Sequence, residues 1–450
     1  MRVVIIGGNP AGLSAASRIR KAHKDWDLVV YEKGNYISYA ACGIPYYIEE
    51  KVKDLQNLIT LTKEDMESKR NVPIKMHHEV IEVNFEEKQL LIKNLDTGEE
   101  FEDVYDKLMI ATGGKSAVPR SLNVDHQRVL QVHTLDDGLK VRKMLQKEKF
   151  NSVLIVGTGF IALEMLEVYK HYGISKITVV GDFFVFRTKT EERIKAELEK
   201  HGIEIELRVL VDRLDLLDNG QIQATLDNGR QITAELVQVS VGVIPATELF
   251  QEKGLKMAEN GAILIDRKAE TNIPEVYAAG DCTMVYHKLR QQDVYIPLAP
   301  AANKLGRIAG NNIAGKEVKP FGGVTGTFIF KVFDLYCSKT GLTLEEAKKQ
   351  NYNAESIFIT NNEIAHYYPG AAKMSVLLVF DKTTHRVLGA ELTAPTPLGA
   401  KKIDVIVAAI YGEMTIPDLQ EFDMAYAPPF APVWDPILIA ANIAWKKCEK

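Results

Sequence analysis

Four cysteines in 450 residues, Cys42, Cys282, Cys337 and Cys448, with no C-x-x-C and no Cys/His cluster, are too few and too scattered for a disulfide scaffold or a structural zinc site. No metal centre is expected. No apolar run approaches the roughly 20 residues needed to cross a bilayer. The opening Met1-Arg-Val-Val-Ile-Ile-Gly runs straight into a glycine turn without a cleavage region, so a strand is expected there and not a signal peptide. Positive charge is not in excess either. A formal charge of -5 argues against nucleic acid or an anionic membrane as a partner and makes any anion site local. With 46% hydrophobic and 26% charged residues, and length for about three domains at ~150 residues each, a soluble cytoplasmic protein is expected.

What the chain does have is one thiol in a distinctive setting. The stretch Ser38-Tyr-Ala-Ala-Cys42-Gly-Ile-Pro45-Tyr-Tyr47 closely follows the apolar run Asp27-Leu-Val-Val-Tyr-Glu32. Thiolate is the nucleophilic form of cysteine and is favoured at a helix N-terminus, so a Cys opening a helix after a tight turn is expected to be activated and to be the reactive centre. A dithiol reductase would carry a second Cys five residues on, where Tyr47 stands. The thiol is therefore expected to share its oxidised form with something else, as a mixed disulfide, a persulfide or a sulfenic acid. The competing reading is a buried, inert Cys42. The other three cysteines read as structural or incidental.

Arg2-Val-Val-Ile-Ile6 is a continuous apolar run, as in a strand buried on both faces of a parallel sheet. Gly7-Gly-Asn-Pro-Ala-Gly12 and a small-residue helix follow, and Glu32 closes the next strand. Such a unit lets backbone N–H groups approach a pyrophosphate, while the acid accepts from a ribose hydroxyl. Asn9 stands in place of its middle glycine. The pattern repeats in Asn151-Ser-Val-Leu-Ile-Val156, Gly157-Thr-Gly159-Phe-Ile-Ala162, a helix bearing Glu164, and Lys176-Ile-Thr-Val-Val180. Two units predict two nucleotides, one of them a flavin if the protein is an oxidoreductase. Two more strands support this: one runs from Lys107 into Thr112-Gly113, and one from Glu275 ends in Gly280-Asp281, with a carboxylate placed for a ribityl or phosphate hydroxyl.

In this order the motifs resemble the two-dinucleotide-binding-domain flavoproteins of the pyridine nucleotide-disulfide oxidoreductase family. Within it they are similar to the single-cysteine branch of NADH peroxidase, NADH oxidase and coenzyme A disulfide reductase. The resemblance implies an α/β fold of two Rossmann-like, glutathione-reductase-like domains plus an α+β C-terminal dimerisation domain. Residues 1–115 and 246–320 would bind FAD, 116–245 NAD(P)H, and 321–450 would form a homodimer with shared active sites. It implies FAD contacts at Gly7, Gly12, Glu32, Lys33, Thr112, Gly113, Asp281 and Ala301. Gly157, Gly159 and Glu164 would lie along the nicotinamide nucleotide, with Phe160 where the family usually has a Tyr over the flavin. Val241-Gly242-Val-Ile-Pro245 resembles the return strand between the two domains.

Three places discriminate within the branch. Pro10 stands where the peroxidase has a proton-handling His, which disfavours peroxidase. Ser38-Tyr39-x-x-Cys42-x-x-Pro45 resembles the S-F-x-x-C-x-x-P signature of coenzyme A disulfide reductases, with Tyr for Phe. Ala425-Tyr426-Ala-Pro-Pro-Phe430 and His366-Tyr367-Tyr368-Pro369-Gly370 resemble the reductases' tyrosine segments. The resemblance implies that Tyr426 and Tyr368, the latter preferred to Tyr367, reach the cysteine of the other subunit. There a phenol can hydrogen-bond a departing thiolate. Ser38, Tyr367, Arg18 and Lys21 are assigned to coenzyme A, the two cations sharing a helix face beside Arg20 and meeting its phosphates. Interface tyrosines and a solvated charged face are the structural alternatives.

The expected reaction is NAD(P)H-dependent reduction of coenzyme A disulfide, or a related low-molecular-weight disulfide or polysulfide, through a Cys42–coenzyme A mixed disulfide. Rivals are a polysulfide or coenzyme A persulfide reductase, an NADH oxidase using a Cys42 sulfenic acid, and a binding flavoprotein that needs no thiol. With Lys450 last, no appended rhodanese domain is expected. Gly181 stands where an NAD-selective unit has its acid. It would admit a 2′-phosphate, with Arg187 and Lys189 as partners, whereas Asp182 would oppose one, so the nicotinamide preference stays open.

Overall fold

The computed structural model describes residues 1–186 and 188–449. Arg2–Ile6 is the central strand of a five-stranded parallel sheet ordered Val276–Ala278, Lys107–Ile110, Arg2–Ile6, Asp27–Glu32, Ile74–Met76. Val3, Val4 and Ile5 are wholly buried, as a strand covered on both faces requires. The helix Pro10–Ala22 covers one face, and Ala299–Ile313 runs against it so closely that a Cβ at Gly306 or Gly310 would strike the backbone of Ala11 or Ala15. Arg20 belongs to this packing and not to a ligand. It is buried, and its guanidinium donates to the carbonyls of Lys24 and Trp26, each at 2.8 Å, where the chain leaves the helix.

A second parallel sheet is ordered Ile203–Leu207, Lys176–Gly181, Ser152–Val156, Leu236–Val239, Val129–Leu130. The chain passes between the two sheets through an antiparallel ribbon, Gly114–Ser116 against Val243–Pro245. The third unit is an antiparallel sheet ordered Phe328–Val332, Leu335–Gly341, Val387–Ala394, Lys373–Asp381, Ala354–Asn362. Ile403–Tyr411 and Pro436–Cys448 pack on it in one apolar core. The fold is thus α/β with two Rossmann-type sheets and an α+β C-terminal domain. That last domain leaves Tyr367, Tyr426, Phe430, Val433 and Trp434 between 49% and 65% exposed, a concentration of large apolar groups that marks a contact surface. Among the described residues no helix is long and apolar enough to cross a membrane.

Candidate active site

The first glycine turn is shaped by steric necessity. Gly7 holds φ +109°, and a Cβ there would run into the Ala111 carbonyl oxygen, while one at Gly12 would run into that of Gly7. A Cβ at Gly280 would come within 3.2 and 3.8 Å of the side chains of Ala11 and Ala302, so the N-termini of Pro10–Ala22 and Ala299–Ile313, the latter holding buried Ala301, converge there. Their unpaired N–H groups and dipoles favour an anion there. Glu32 ends its strand facing this turn and accepts from the Gly8 and Gly34 N–H groups at 2.7 and 2.6 Å. Lys33 points elsewhere, pairing with Glu79 at 3.2 Å. The Thr112 hydroxyl is buried without a hydrogen-bond partner, next to Gly113 at φ +71°. Burial pushes the Asp281 carboxyl up, against the opposing pull of His133. An orphaned hydroxyl, an acid facing the turn and two convergent helix ends fit a dinucleotide such as FAD.

Cys42 lies in a single turn, Ala41–Gly43, that leads into the short helix Ile44–Ile48. Its loop is pinned on several sides. Ser38, at φ +49°, donates its N–H to the Gly8 carbonyl at 3.0 Å, and its own carbonyl accepts from Thr60 at 2.8 Å. Asn9 Oδ1 accepts from the Tyr39 N–H at 3.4 Å, which accounts for an amide where the motif has its middle glycine. Cys42 is exposed, yet the protein packed around its sulfur, followed by the carboxylates of Glu164 and Asp281, pushes the thiol up. This reverses the expected activation by the helix start, since a five-residue helix has little dipole and both nearby charges are negative. Cys282 and Cys337 are fully buried, with thiols pushed up by burial, and Cys448 lies in the last helix, so no second thiol accompanies Cys42.

The second turn repeats the first at Gly157, φ +113°, where a Cβ would hit the Ser240 carbonyl oxygen. Gly159 differs, with no protein atom within 4 Å of the Cβ it lacks. Phe160 opens the helix Phe160–His171 and packs with Phe328 and Phe330 at ring distances of 4.7 and 5.6 Å. One turn on, Glu164 accepts from the Tyr46 hydroxyl at 3.1 Å, and burial pushes its carboxyl up to about 7. Gly242, at φ +127°, has open space on its free face. A Cβ at Gly181 would press on Thr158, so packing alone demands glycine there, whether or not a 2′-phosphate is accommodated. Lys189 sits 5.5 Å over the Phe358 ring in the C-terminal domain, away from the turn, and Arg187 lies outside the described residues.

Comparison with known proteins agrees with this geometry. The pyridine nucleotide-disulphide oxidoreductase model matches residues 1–306, and that of the family's dimerisation domain matches 327–436. The chain belongs to the pyridine nucleotide-disulphide oxidoreductase family. It is 36% identical over 447 residues, 98% of both chains, to the NAD(P)H sulfur oxidoreductase (CoA-dependent) of Pyrococcus furiosus. It is 28% identical over 439 residues, 96% of both chains, to the coenzyme A disulfide reductase of Staphylococcus aureus. An NAD-dependent persulfide reductase structure from A. fulgidus superposes with TM-score 0.94 at 32% identity, covering all of this chain and 84% of that one. FAD and NAD(P)H are the cofactors of this family, and the protein is an oxidoreductase.

Further from the turns, this oxidoreductase presents half-buried Arg18 and exposed Lys21 on the face of the first helix that also carries Ser17. Arg70 joins them by donating to Ser17 Oγ at 3.0 Å, a cation that nothing in the sequence pattern linked to that helix. In the C-terminal domain, the Ala365 N–H donates to the Pro428 carbonyl at 3.2 Å and ties the two tyrosine loops together. The tyrosine that meets Tyr426 is Tyr367, whose phenol is pushed up by the Tyr426 hydroxyl beside it. Tyr368, the next residue, is 40% exposed on the same loop.

Proposed function

We propose that the protein reduces coenzyme A disulfide with NAD(P)H by way of a mixed disulfide on Cys42, and that two copies share each active site. The observation that carries this reading is one exposed thiol, without a second cysteine, beside Glu164 of one dinucleotide unit and Asp281 of the other. Glu32, Thr112 and Asp281 would hold FAD, whose hydride chemistry with NAD(P)H would supply two electrons to the mixed disulfide, so that its S–S bond breaks to free the Cys42 thiolate and release one coenzyme A thiol. The freed Cys42 thiolate attacks one sulfur of coenzyme A disulfide. The S–S bond breaks, one coenzyme A thiolate leaves, and the Cys42–coenzyme A disulfide re-forms. Tyr367 and Tyr426 of a second copy would donate to the leaving thiolate, and Arg18, Lys21 and Arg70 would meet the phosphates. The exposed apolar surface around those tyrosines supports a homodimer, and four unpaired cysteines suit a reducing cytoplasm.

A sulfane-sulfur acceptor, polysulfide or coenzyme A persulfide, is the second reading, favoured by the higher identity to the Pyrococcus furiosus protein. The test follows NADH and NADPH oxidation anaerobically with coenzyme A disulfide, polysulfide or glutathione disulfide, and separately with oxygen, counting thiols released. Two coenzyme A thiols per nicotinamide, lost in Cys42→Ser while the flavin is still reduced, is the expected result. Rapid turnover with polysulfide or oxygen alone would move the reading to a persulfide or sulfenic acid centre.

A further inference from the structure

A cavity of about 230 Å³ lies where the FAD domain meets the C-terminal domain, on residues that no step above uses. Its three cations come from separate parts of the chain. Arg267 follows a core segment of the FAD domain, Lys288 follows the strand Val285–His287, and Arg386 immediately precedes the strand Val387–Ala394. One carboxylate, Glu413, answers two of them, with Lys288 Nζ at 3.4 Å and Arg386 Nη2 at 2.7 Å. Arg267 has no carboxylate in the cavity wall. Its Nε donates to the Phe321 carbonyl at 2.6 Å and its guanidinium lies 4.7 Å from the Tyr286 ring, a stacking that holds the fork in one plane.

Three cations against one carboxylate give the cavity wall an excess of two positive charges on a chain whose formal charge is -5, while Asp266 and Asp293 line a smaller pocket on the other side of Arg267 and Tyr286. Behind the wall, Arg290 and Lys339 share the carboxylate of Glu346 at 2.7 and 3.8 Å. His287, buried between these groups, is pushed down to about 4 by burial and by Arg290, which keeps it neutral. The wall is held in shape by the Tyr352 hydroxyl on the Leu289 carbonyl at 2.9 Å and the Tyr411 hydroxyl on the Gly323 carbonyl at 2.6 Å.

We infer that this cavity binds a phosphate dianion, either free or as the head of a small phosphate ester. Two planar guanidinium forks, each able to meet two oxygens of a tetrahedral phosphate, and an ammonium are a donor set suited to a doubly charged oxyanion, and the charge matches. At roughly 30 Å³ per water-sized group the space takes about eight, enough for a phosphate with a short carbon chain against Leu289, Val387 and Leu388. Because the site joins the domain that carries the flavin to the domain that carries the tyrosine pair, an occupant stabilises that junction and raises the protein's apparent stability.

The test titrates the FAD-loaded protein with inorganic phosphate, and separately with glycerol 3-phosphate, at constant ionic strength, reading bound ligand by equilibrium dialysis and the shift in melting temperature. Saturable binding is expected, weakened by about tenfold in Arg267→Gln and again in Arg386→Gln, with flavin content and turnover unchanged. Lys288→Gln serves if Arg386→Gln fails to fold. Saturation by inorganic phosphate alone identifies the free ion, and saturation by the ester alone identifies an ester site. Absence of saturable binding up to about 10 mM, or binding that survives these substitutions and so belongs to the nucleotide or coenzyme A sites, overturns the inference.

Discussion

The two dinucleotide turns share a backbone and differ in their surroundings. Gly7 and Gly157 hold nearly the same φ, +109° and +113°, and each is pressed against the carbonyl at the end of a neighbouring strand. Beyond that, the first turn is locked from several directions. Gly12 packs on Gly7, Asn9 holds Tyr39 of the cysteine loop, and Ala299–Ile313 is jammed along the helix. Around the second, Gly159 faces open space and Gly181 ends the strand where the first unit has Glu32. A turn built into its neighbours suits a cofactor that stays through many turnovers. An open one suits a nucleotide that enters and leaves in each.

Gly12→Ala tests the locked side most severely. The added methyl strikes the Gly7 carbonyl, so the purified protein is expected to lose its flavin absorbance and all activity. Full flavin content in this variant would break the contrast. Next in size is Glu164→Gln on the helix of the open turn. Glu164 titrates near 7 when folded against an ordinary value of 4.5, so between those pH values the folded chain holds the extra proton and stability falls as pH rises. The slope from this one group is at most about 1.4 kcal/mol per pH unit, and denaturant melts across that window should be flatter for Glu164→Gln than for the parent protein.

Gly159→Ala has room in the protein and should keep its fold and flavin while raising the KM for NAD(P)H about tenfold, because the methyl occupies the side where a pyrophosphate approaches. An unchanged KM would remove the open turn's assignment to the nicotinamide nucleotide. Asn9→Ala is the smallest change expected. Losing the bond to Tyr39 should cost about 1 kcal/mol in denaturant unfolding and loosen the Cys42 loop, read as faster alkylation of Cys42.

Much of this architecture is legible in the amino-acid sequence alone. A doubly covered parallel strand must be apolar throughout, so Arg2–Ile6 and Ser152–Val156 were readable as written. The same holds for the glycine turns, whose steric demands act on neighbouring residues, and for Glu32 at the end of its strand. Arg20 was not legible as a structural residue, because its partners are carbonyls that reach it only once the chain turns back after the helix. Nor was it legible that Tyr367 meets Tyr426, since that contact depends on two loops tied together between Ala365 and Pro428.

The sequence by itself determined two dinucleotide units, which rest on periodicity and sterics acting over a dozen residues or so, and one thiol with no second cysteine five residues on. Only the tertiary structure decided the environment of that thiol and of the cation-lined cavity. Burial, then Glu164 and Asp281, raises Cys42, and Arg267, Lys288 and Arg386 line one cavity with Glu413, although each set is scattered along the chain. Coulomb energy and desolvation depend on distance and burial in space, and neither is written in residue order.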